Sequence, residues 1–371
     1  MLSADPDVAW MNRALELAAL GRGRVEPNPM VGCVIVRDGE RIGEGYHHRL
    51  GGPHAEIDAL NQIGDPDRVR GATAYVTLEP CCHTGKTPPC TRALIGAGIA
   101  RVVVAIRDPF PLVDGGGVAE LRAAGIHVDV GVCEAAATDL LAAYLKRVCY
   151  GRPWVIAKWA MTLDGRIATA TGDSQWISGP LSRGEVHRLR GLVDGIAVGG
   201  GTAAADDPTL TARPPGPRTA TRIVLADRRL PSVDSRLVRT IDQARLLIAV
   251  PEHVPRELTE PLLKAGAEIF VGRGSDRVEL ADELLRELGT NRQMTQLLVE
   301  GGAGVLGSFF AAGQIDEIHT YIGPKVIGGQ AAPGPVGDPG WGRLAESPDW
   351  EVTDFRRLDD DIRIVARRRS G

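Results

Sequence analysis

Three stretches decide the fold of the N-terminal half: His54-Ala55-Glu56, TLEPCCHTGKTPPC at residues 77–90 and ARVVVAIRDP at residues 100–109. TAYVTL (73–78) reads as a strand, residues 91–97 as a helix, and VVVAI (102–106) as an all-apolar strand. An uninterrupted apolar strand fits a sheet buried on both faces. Working outward, a helix near 54–62 precedes the first of these strands, and a helix near 117–124 precedes another at 126–132. Upstream, MVGCVIV and ERIGEGY flank Asp38-Gly39, a hairpin signal. The first helix is marked by Asp5 as N-cap, Pro6 at its first position and Gly21 at its end, with Trp10, Ala14, Leu17 and Ala18 on one face. Strands alternating with helices predict an α/β fold.

A long helix at 134–148 runs into Gly151-Arg152-Pro153, and a fresh α/β pattern follows. This Gly/Pro break sets the expected domains as 1–147 and 153–371. In the second, strands are expected at 154–160, 194–199, 222–226, 245–250, 267–271, 296–299 and 316–322, and helices at 180–190, 256–265, 278–288 and 304–312. Residues 212–220 and 328–342 read as Gly/Pro-rich loops, and no internal repeat is visible. A chain of 371 residues suits two domains of roughly 100–200 residues each. It can bury enough surface to need no disulfides. With 43 Lys+Arg against 47 Asp+Glu, the net charge of −4 argues against nucleic acid as the main partner. No apolar run approaches the ~18 residues that cross a bilayer. MLSADPDVAW carries acids where a signal peptide carries bases. We therefore expect a cytoplasmic protein with no membrane partner, in which the six cysteines stay reduced.

Cys81, Cys82 and Cys90 lie within ten residues, which points to a metal site. One His and two Cys satisfy a catalytic zinc, which takes three protein ligands and keeps a fourth position for water. His54, Cys81 and Cys90 are the expected ligands. Zinc lowers the pKa of such a water. Glu56, two residues from His54, would take its proton and pass it to a departing amine. The H-x-E…P-C pattern is that of zinc deaminases, although here eight residues separate the cysteines. Cys90 would open the next helix, where the dipole favours a thiolate. Cys82 adjoins Cys81, and the Pro-Cys junction selects Cys81. Cys33, Cys133 and Cys149 read as small core hydrophobes. His47 and His48 end a strand near the expected site and either reach substrate or simply pack. His127, His187, His253 and His319 read as ordinary.

Together, PNPMVGCVIV (27–36), GGPHAE (51–56), TLEPCCHTGKTPPC and ARVVVAIRDP resemble the bacterial riboflavin-biosynthesis deaminase–reductase family, known as RibD or RibG. The resemblance spans nearly the whole chain. It implies an N-terminal cytidine-deaminase-like α/β/α domain, and the family's long cysteine spacing is the one seen here. It further implies that Asn28, His83 and Lys86, with His54 and Glu56, line a pyrimidine pocket. Lys86 would meet the substrate phosphate or a ring oxygen. One position departs: the family usually reads Asp-Pro-Asn-Pro where this chain has Asp108-Pro109-Phe110-Pro111. Phe110 cannot hydrogen-bond a substrate as that Asn does.

In the C-terminal half, LLVEGGAGVLGSFF (297–310) reads strand, Gly-rich turn, helix. Such a turn suits phosphate, though a packing turn explains it equally well. It lacks the G-x-G-x-x-G spacing of a Rossmann fingerprint. KWAMTLDGRIATATGDSQWISG (158–179) is a polar stretch containing Lys158, Thr162, Asp164, Ser174 and Trp176. VHRLRGLVDGIAVGGGTAAADDPTLTAR (186–213) brings Arg190 and Arg213, two candidates for a bidentate grip on phosphate. These segments resemble the same family, whose reductase domain is dihydrofolate-reductase-like (α/β) and uses NADPH. Carried over, Ala160, Trp176, Thr202, Asp206 and the turn Gly302, Ala303, Gly304, Val305, Leu306, Gly307, Ser308 are implied NADPH contacts. Ser174, Arg190, Leu210, Arg213 and Glu300 are implied substrate contacts, and Asp206 is the acid to test first for a further role. The resemblance implies zinc-dependent deamination and NADPH-dependent reduction of a phosphorylated aminopyrimidine, in a homo-oligomer. Two other readings stay open: a base deaminase with a helper domain, and a non-catalytic binder of a flavin precursor or NADPH. The intact set His54, Glu56, Cys81 and Cys90 argues against the second.

Overall fold

In the computed structural model, which describes residues 5–83, 88–227 and 229–369, the chain divides between Gly151 and Arg152 into two units. The first opens with α1 (Pro6–Ala19), whose N-cap Asp5 accepts a hydrogen bond from the Asp7 amide at 3.0 Å. Its buried face is Met11, Ala14, Leu17 and Ala18; Trp10, expected on that face, is only partly covered. Strands β1 (Gly32–Arg37) and β2 (Glu40–Tyr46) form the hairpin. Asp38 (φ 52°) and Gly39 (φ 78°) both take left-handed conformations, as a tight turn matched to the strand twist requires. Then come α2 (Ala55–Asn61), β3 (Thr73–Val76), α3 (Cys90–Ala97), β4 (Arg101–Val104), α4 (Gly116–Ala123), β5 (His127–Val130) and α5 (Glu134–Tyr150).

The sheet order is β2-β1-β3-β4-β5, with β1 antiparallel to both neighbours and β3, β4 and β5 parallel. Side chains alternate across it. Cys33, Ile35, Val76, Val102 and Val104 face α2, α3 and α4, while Val34, Val36, Tyr75 and Val103 face α1 and α5. Both faces are therefore buried, which is why VVVAI is apolar throughout. Gly45 decides how closely α2 can approach: a Cβ there would stand 2.4 Å from the Ala59 nitrogen. Its absence lets α2 lie directly on β2 and fixes where that helix begins.

The second unit runs β6 (Trp154–Thr162), α6 (Pro180–Arg190), β7 (Gly195–Gly199), α7 (Gly200–Asp206), β8 (Thr221–Leu225), α8 (Arg236–Arg239), β9 (Leu246–Pro251), α9 (Arg256–Lys264), β10 (Glu268–Gly272), α10 (Arg277–Arg286), β11 (Gln296–Val299), α11 (Ala303–Ala311), β12 (Glu317–Gly323), β13 (Trp350–Leu358) and β14 (Asp361–Arg368). The strand order is β10-β9-β8-β7-β11-β6-β12-β14-β13, parallel from β10 to β12 and antiparallel beyond. The chain steps outward from β7 to β10, then returns to lay β11 between β7 and β6. Ligands bind in open α/β sheets where the strand order reverses, at the carboxyl ends.

Besides the short helix α8, two features that bear on the site escape the sequence reading. Helix α7 starts directly at the end of β7 because GGGTAAA, which looks like a turn, continues as helix. The hairpin β13–β14 carries charged residues along both strands, and β13 is an edge strand exposed for most of its length, so it shows no apolar alternation. It matters to the unit because buried Asp361 accepts from the Gly179 amide (2.6 Å) and the Ser182 hydroxyl (2.5 Å), anchoring the start of α6. Among the described residues no helix is long and apolar enough to cross a membrane.

Candidate active sites

His54 is the N-cap of α2, Glu56 lies in its first turn, Cys81 follows β3 and Cys90 is the first residue of α3. The fold brings the three expected ligands together. His54 Nδ1 stands 3.3 Å from Cys90 Sγ and 3.6 Å from Cys81 Sγ, and the three ligand atoms lie within 4.8 Å of one another. The Cys90 amide also donates to Cys81 Sγ at 3.4 Å. The Cys81 thiol is drawn down to about 4, first by its hydrogen bond with Cys90 and then by that with His54; the Cys90 thiol moves up as the sharing partner. A low-lying thiolate beside a second thiol and an imidazole is a donor set that fits zinc.

Glu56 is 3% exposed. Burial, with the Cys81 charge nearby, holds its carboxyl above the usual range, so its carboxylate is a stronger base than an exposed glutamate. Cys82 turns away from the cluster, its Sγ directed at the Leu112 carbonyl (3.6 Å), which leaves Cys81 as the ligand. His47 is buried and its ring lies 5.4 Å from that of His54. Burial lowers its pKa, so the neutral ring can donate from Nδ1 to the Pro53 carbonyl (2.8 Å) and face the Asn28 amide with Nε2 (3.4 Å). His48 instead pairs with Asp58 at 2.9 Å. His83 carries a buried Nδ1 with no hydrogen-bond partner among the described residues, and its ring lies 6.1 Å from Phe110. Lys86 lies outside the described residues.

Two acids missed by the sequence reading shape this wall. Glu79 accepts from the amides of Val118 (2.9 Å), Gly115 (3.2 Å) and Asp108 (3.3 Å). Asp108 accepts from the Phe110 amide (3.0 Å) and the Tyr144 hydroxyl (2.9 Å). They fix the loop that presents Phe110. Of the cysteines expected in the core, Cys33 is buried; Cys133 is only half-buried and Cys149 is exposed, because they fall on the outer rim of α5.

In the second unit a cleft of ≈ 270 Å³ opens at the carboxyl ends of β7, β8 and β11. Gly199, Gly200, Gly201, Thr202, Gly302, Gly304 and Val305 line it from the α7 and α11 sides, and Asp227, Arg229 and Arg277 from the β8 side. Gly302 has φ 83°, and a Cβ there would stand 2.9 Å from Thr202 Oγ1, so the two turns meet only because this position is glycine. Backbone amides that open helices beside bare glycines suit the phosphates of a dinucleotide. The implied run 302–308 divides: Gly302, Gly304 and Val305 face the cleft, while Leu306 and Ser308 are buried and Gly307 packs on the 337–338 carbonyls. The Ser308 hydroxyl is already bonded to the Gly304 carbonyl at 3.0 Å.

On the β6 side, Arg190 grips Glu300 with two parallel bonds, Nε to Oε1 and Nη2 to Oε2, both 2.6 Å. Arg190 Nη1 donates to the Thr211 carbonyl at 3.3 Å. The sequence reading offered Arg190 as half of a phosphate grip; its fork is instead occupied by a buried carboxylate. Burial would raise Glu300, but Arg190 and Lys158 outweigh it and hold the carboxyl low. Burial lowers the Lys158 pKa, with Glu300 opposing. His187, read as ordinary, belongs here too: burial and then the charges of Arg190 and Arg213 lower its pKa. The sequence picks out Lys158 in a polar stretch, but a spaced motif cannot reveal that His187 joins it, because α6 and β6 bring them in from separate segments. Ala160 pairs with Tyr321 on β12. Trp176 is 60% exposed under the Arg183 guanidinium, 4.7 Å from the ring. Leu210 is buried at φ 50°, Asp206 ends α7 and Arg213 is exposed. Partial desolvation raises the Asp206 carboxyl.

Residues 5–106 match the cytidine and deoxycytidylate deaminase zinc-binding region, and residues 153–364 the RibD C-terminal domain. The chain is 40% identical over 363 residues to the riboflavin biosynthesis protein RibD of Aquifex aeolicus, covering 98% of each. The solved structure of Acinetobacter baumannii RibD, form 1, superposes with a TM-score of 0.86 at 36% identity, covering 98% of this chain and 99% of that one. A Thermotoga maritima structure, described as a diaminohydroxyphosphoribosylaminopyrimidine deaminase/5-amino-6-(5-phosphoribosylamino)uracil reductase, gives 0.84 at 35% identity with the same coverage. The N-terminal unit is thus cytidine-deaminase-like and the C-terminal unit dihydrofolate-reductase-like. Similar to these proteins along nearly its whole length, in sequence and in fold, the chain belongs to the RibD family.

Proposed function

We propose that the chain catalyses two consecutive steps of riboflavin biosynthesis. Residues 1–147 hydrolytically deaminate 2,5-diamino-6-(5-phosphoribosylamino)pyrimidin-4(3H)-one, and residues 153–371 reduce the ribosyl side chain with NADPH to give 5-amino-6-(5-phosphoribitylamino)uracil. The observation that carries this reading is the cluster His54, Cys81 and Cys90 with buried Glu56 beside it, in one chain with a glycine-lined cleft at a strand-order reversal.

His54, Cys81 and Cys90 would hold zinc, which supplies the Lewis acidity that makes water a usable nucleophile at neutral pH. Glu56 takes a proton from the attacking water and delivers it to the ring amino group, so the C–N bond breaks with ammonia as leaving group. His83, whose buried Nδ1 has no hydrogen-bond partner among the described residues, and the Asn28 amide hold the heterocycle edge. Phe110 offers a ring face where the family presents an amide. In the second unit, NADPH would supply a hydride to the sugar C1, with the C1–O ring bond broken and a proton taken up at the ring oxygen. Glu300 and Lys158 orient the sugar, Arg190 keeps Glu300 ionised, and exposed Arg213 remains for the phosphate. The protein works in the cytoplasm as a homo-oligomer; a reducing compartment keeps the ligand cysteines available.

The test is a one-pot mass-spectrometric assay on zinc-loaded protein, first without and then with NADPH. Deaminated product, followed by the ribityl product, is the expected result. Absence of deamination with NADPH binding intact would overturn the assignment of the first substrate and favour a different aminated base, with Phe110 as the reason.

A further inference from the structure

The corner of the cleft on the β8 side has no role in the reading so far. Asp227 follows β8, and Arg277 opens α10. Arg277 binds Asp227 through Nε (3.0 Å) and Nη2 (2.9 Å), which leaves Nη1. That third nitrogen lies against the first turn of α11: a Cβ on Gly304 would stand 3.2 Å from it. Among the described residues Nη1 makes no hydrogen bond. Arg229 lines the same corner and is exposed. Its position is fixed by its backbone, since a Cβ on Gly200 would stand 1.9 Å from the Arg229 carbonyl oxygen. The amides at the start of α10 are not the attraction here: Asp276 already accepts from those of Val278 (2.8 Å) and Glu279 (2.9 Å). What the corner offers an anion is guanidinium, not helix dipole.

Strand order fixes which part of a dinucleotide reaches this corner. Lys158 belongs to β6 and Glu300 follows β11, while Asp227 follows β8. From β6 to β8 is three strand steps, about 14 Å. A hydride donor must meet the sugar at the β6 side, so its adenosine end runs toward β8. We infer that Arg229 and Arg277 read the 2′-phosphate of the cofactor, and that Asp227, by holding two of the three Arg277 nitrogens, sets how strongly NADPH is preferred over NADH. This rests on the reductase reading given above and names the residues that determine its cofactor specificity. Two arginines against one carboxylate leave the corner net positive, which favours a phosphate dianion over a ribose hydroxyl. Asp227 opposes the same phosphate, so the preference is moderated by design of the pair.

The test uses the full chain without pyrimidine and reads NADPH and NADH affinity by the fluorescence of the reduced cofactor. Arg277→Ala and Arg229→Ala should each weaken NADPH about tenfold or more and NADH less than about twofold, the scale of a lost charge-assisted hydrogen bond. Asp227→Asn should tighten NADPH and leave NADH unchanged. Equal losses for both cofactors would place the arginines on the pyrophosphate they share, and overturn the inference; so would no loss in either arginine variant. Wild-type protein that binds neither cofactor would remove the reductase reading itself, a distinct outcome. If Arg277→Ala loses its cooperative melt, Arg229→Ala and Asp227→Asn carry the same comparison.

Discussion

Replacing Glu56 by Gln tests the proton-transfer role with the least disturbance. The amide has the carboxylate's shape, and Glu56 supplies none of the three clustered ligand atoms. Zinc content should therefore stay near one per chain, measured by elemental mass spectrometry. The side chain is 3% exposed, so the wild-type carboxylate is held where water cannot solvate it. A neutral amide removes that desolvation cost, and the variant should melt cooperatively at no lower temperature. What is lost is proton transfer in the transition state, a contribution of ~10²–10⁴ in rate, or about 3–5 kcal/mol of barrier. Ammonia release from the diaminopyrimidine should fall by that factor. Reduction of already deaminated substrate should be unchanged, because the second cleft is built wholly from residues of the other unit. A variant that retains zinc and deaminates at the wild-type rate would refute the assignment. Loss of zinc would also refute it, by making Glu56 a ligand.

Cys81→Ser and Cys90→Ser should each lose zinc and deamination, while Cys82→Ser, whose thiol faces Leu112, should keep both; zinc titration after gel filtration separates them. Arg213→Ala should raise KM for the phosphorylated substrate more than Kd for NADPH, and equal changes would put Arg213 on the cofactor. Glu317 is held below its ordinary 4.5: burial raises it, but the His319 and Arg367 bonds (2.6 and 3.0 Å) outweigh that. A depressed carboxyl stabilises above its unfolded pKa and loses that contribution as pH falls through its folded one. Glu317→Gln should therefore lower Tm at neutral pH, with the gap to wild type narrowing below about pH 4.5 in acid melts.

The first site was legible because its chemistry is local. His54 and Glu56 share one helix turn, and Cys81 and Cys90 flank one loop, so their spacing survives as a motif. The Pro-Cys junction selects Cys81 over the adjacent Cys82, and in the structure Cys81 joins the cluster while Cys82 turns toward the Leu112 carbonyl. Glu79 and Asp108 were invisible because an acid that accepts loop amides looks like any other acid. In the second unit, Lys158, His187, Arg190 and Glu300 come from different segments and meet only through strand order. Family likeness named Arg190 and Glu300 but not that they bind each other. The hairpin β13–β14 was missed because an edge strand with most side chains in solvent has no apolar period to read.

Both sites follow one physical rule. In each unit the chemistry sits where parallel strands end and helices begin: after β3, at the starts of α2 and α3, and after β7, β8 and β11, at the starts of α7 and α11. Loops there are free to vary while the buried strands hold their ends in place. The helix starts add unpaired amides and positive potential, which stabilise a thiolate in one unit and suit phosphate in the other. The two units use that potential differently. In the first unit the charged group, the Cys81 thiolate, belongs to the protein and accepts from the Cys90 amide that opens α3, so the site can be assembled before any substrate arrives. In the second unit the anion must come with the ligand. There, two of the protein's own carboxylates are engaged by arginine, Glu300 with Arg190 and Asp227 with Arg277. Pairing them keeps the cleft from repelling a polyanionic cofactor, and leaves selectivity to the guanidinium nitrogens that the carboxylates do not occupy.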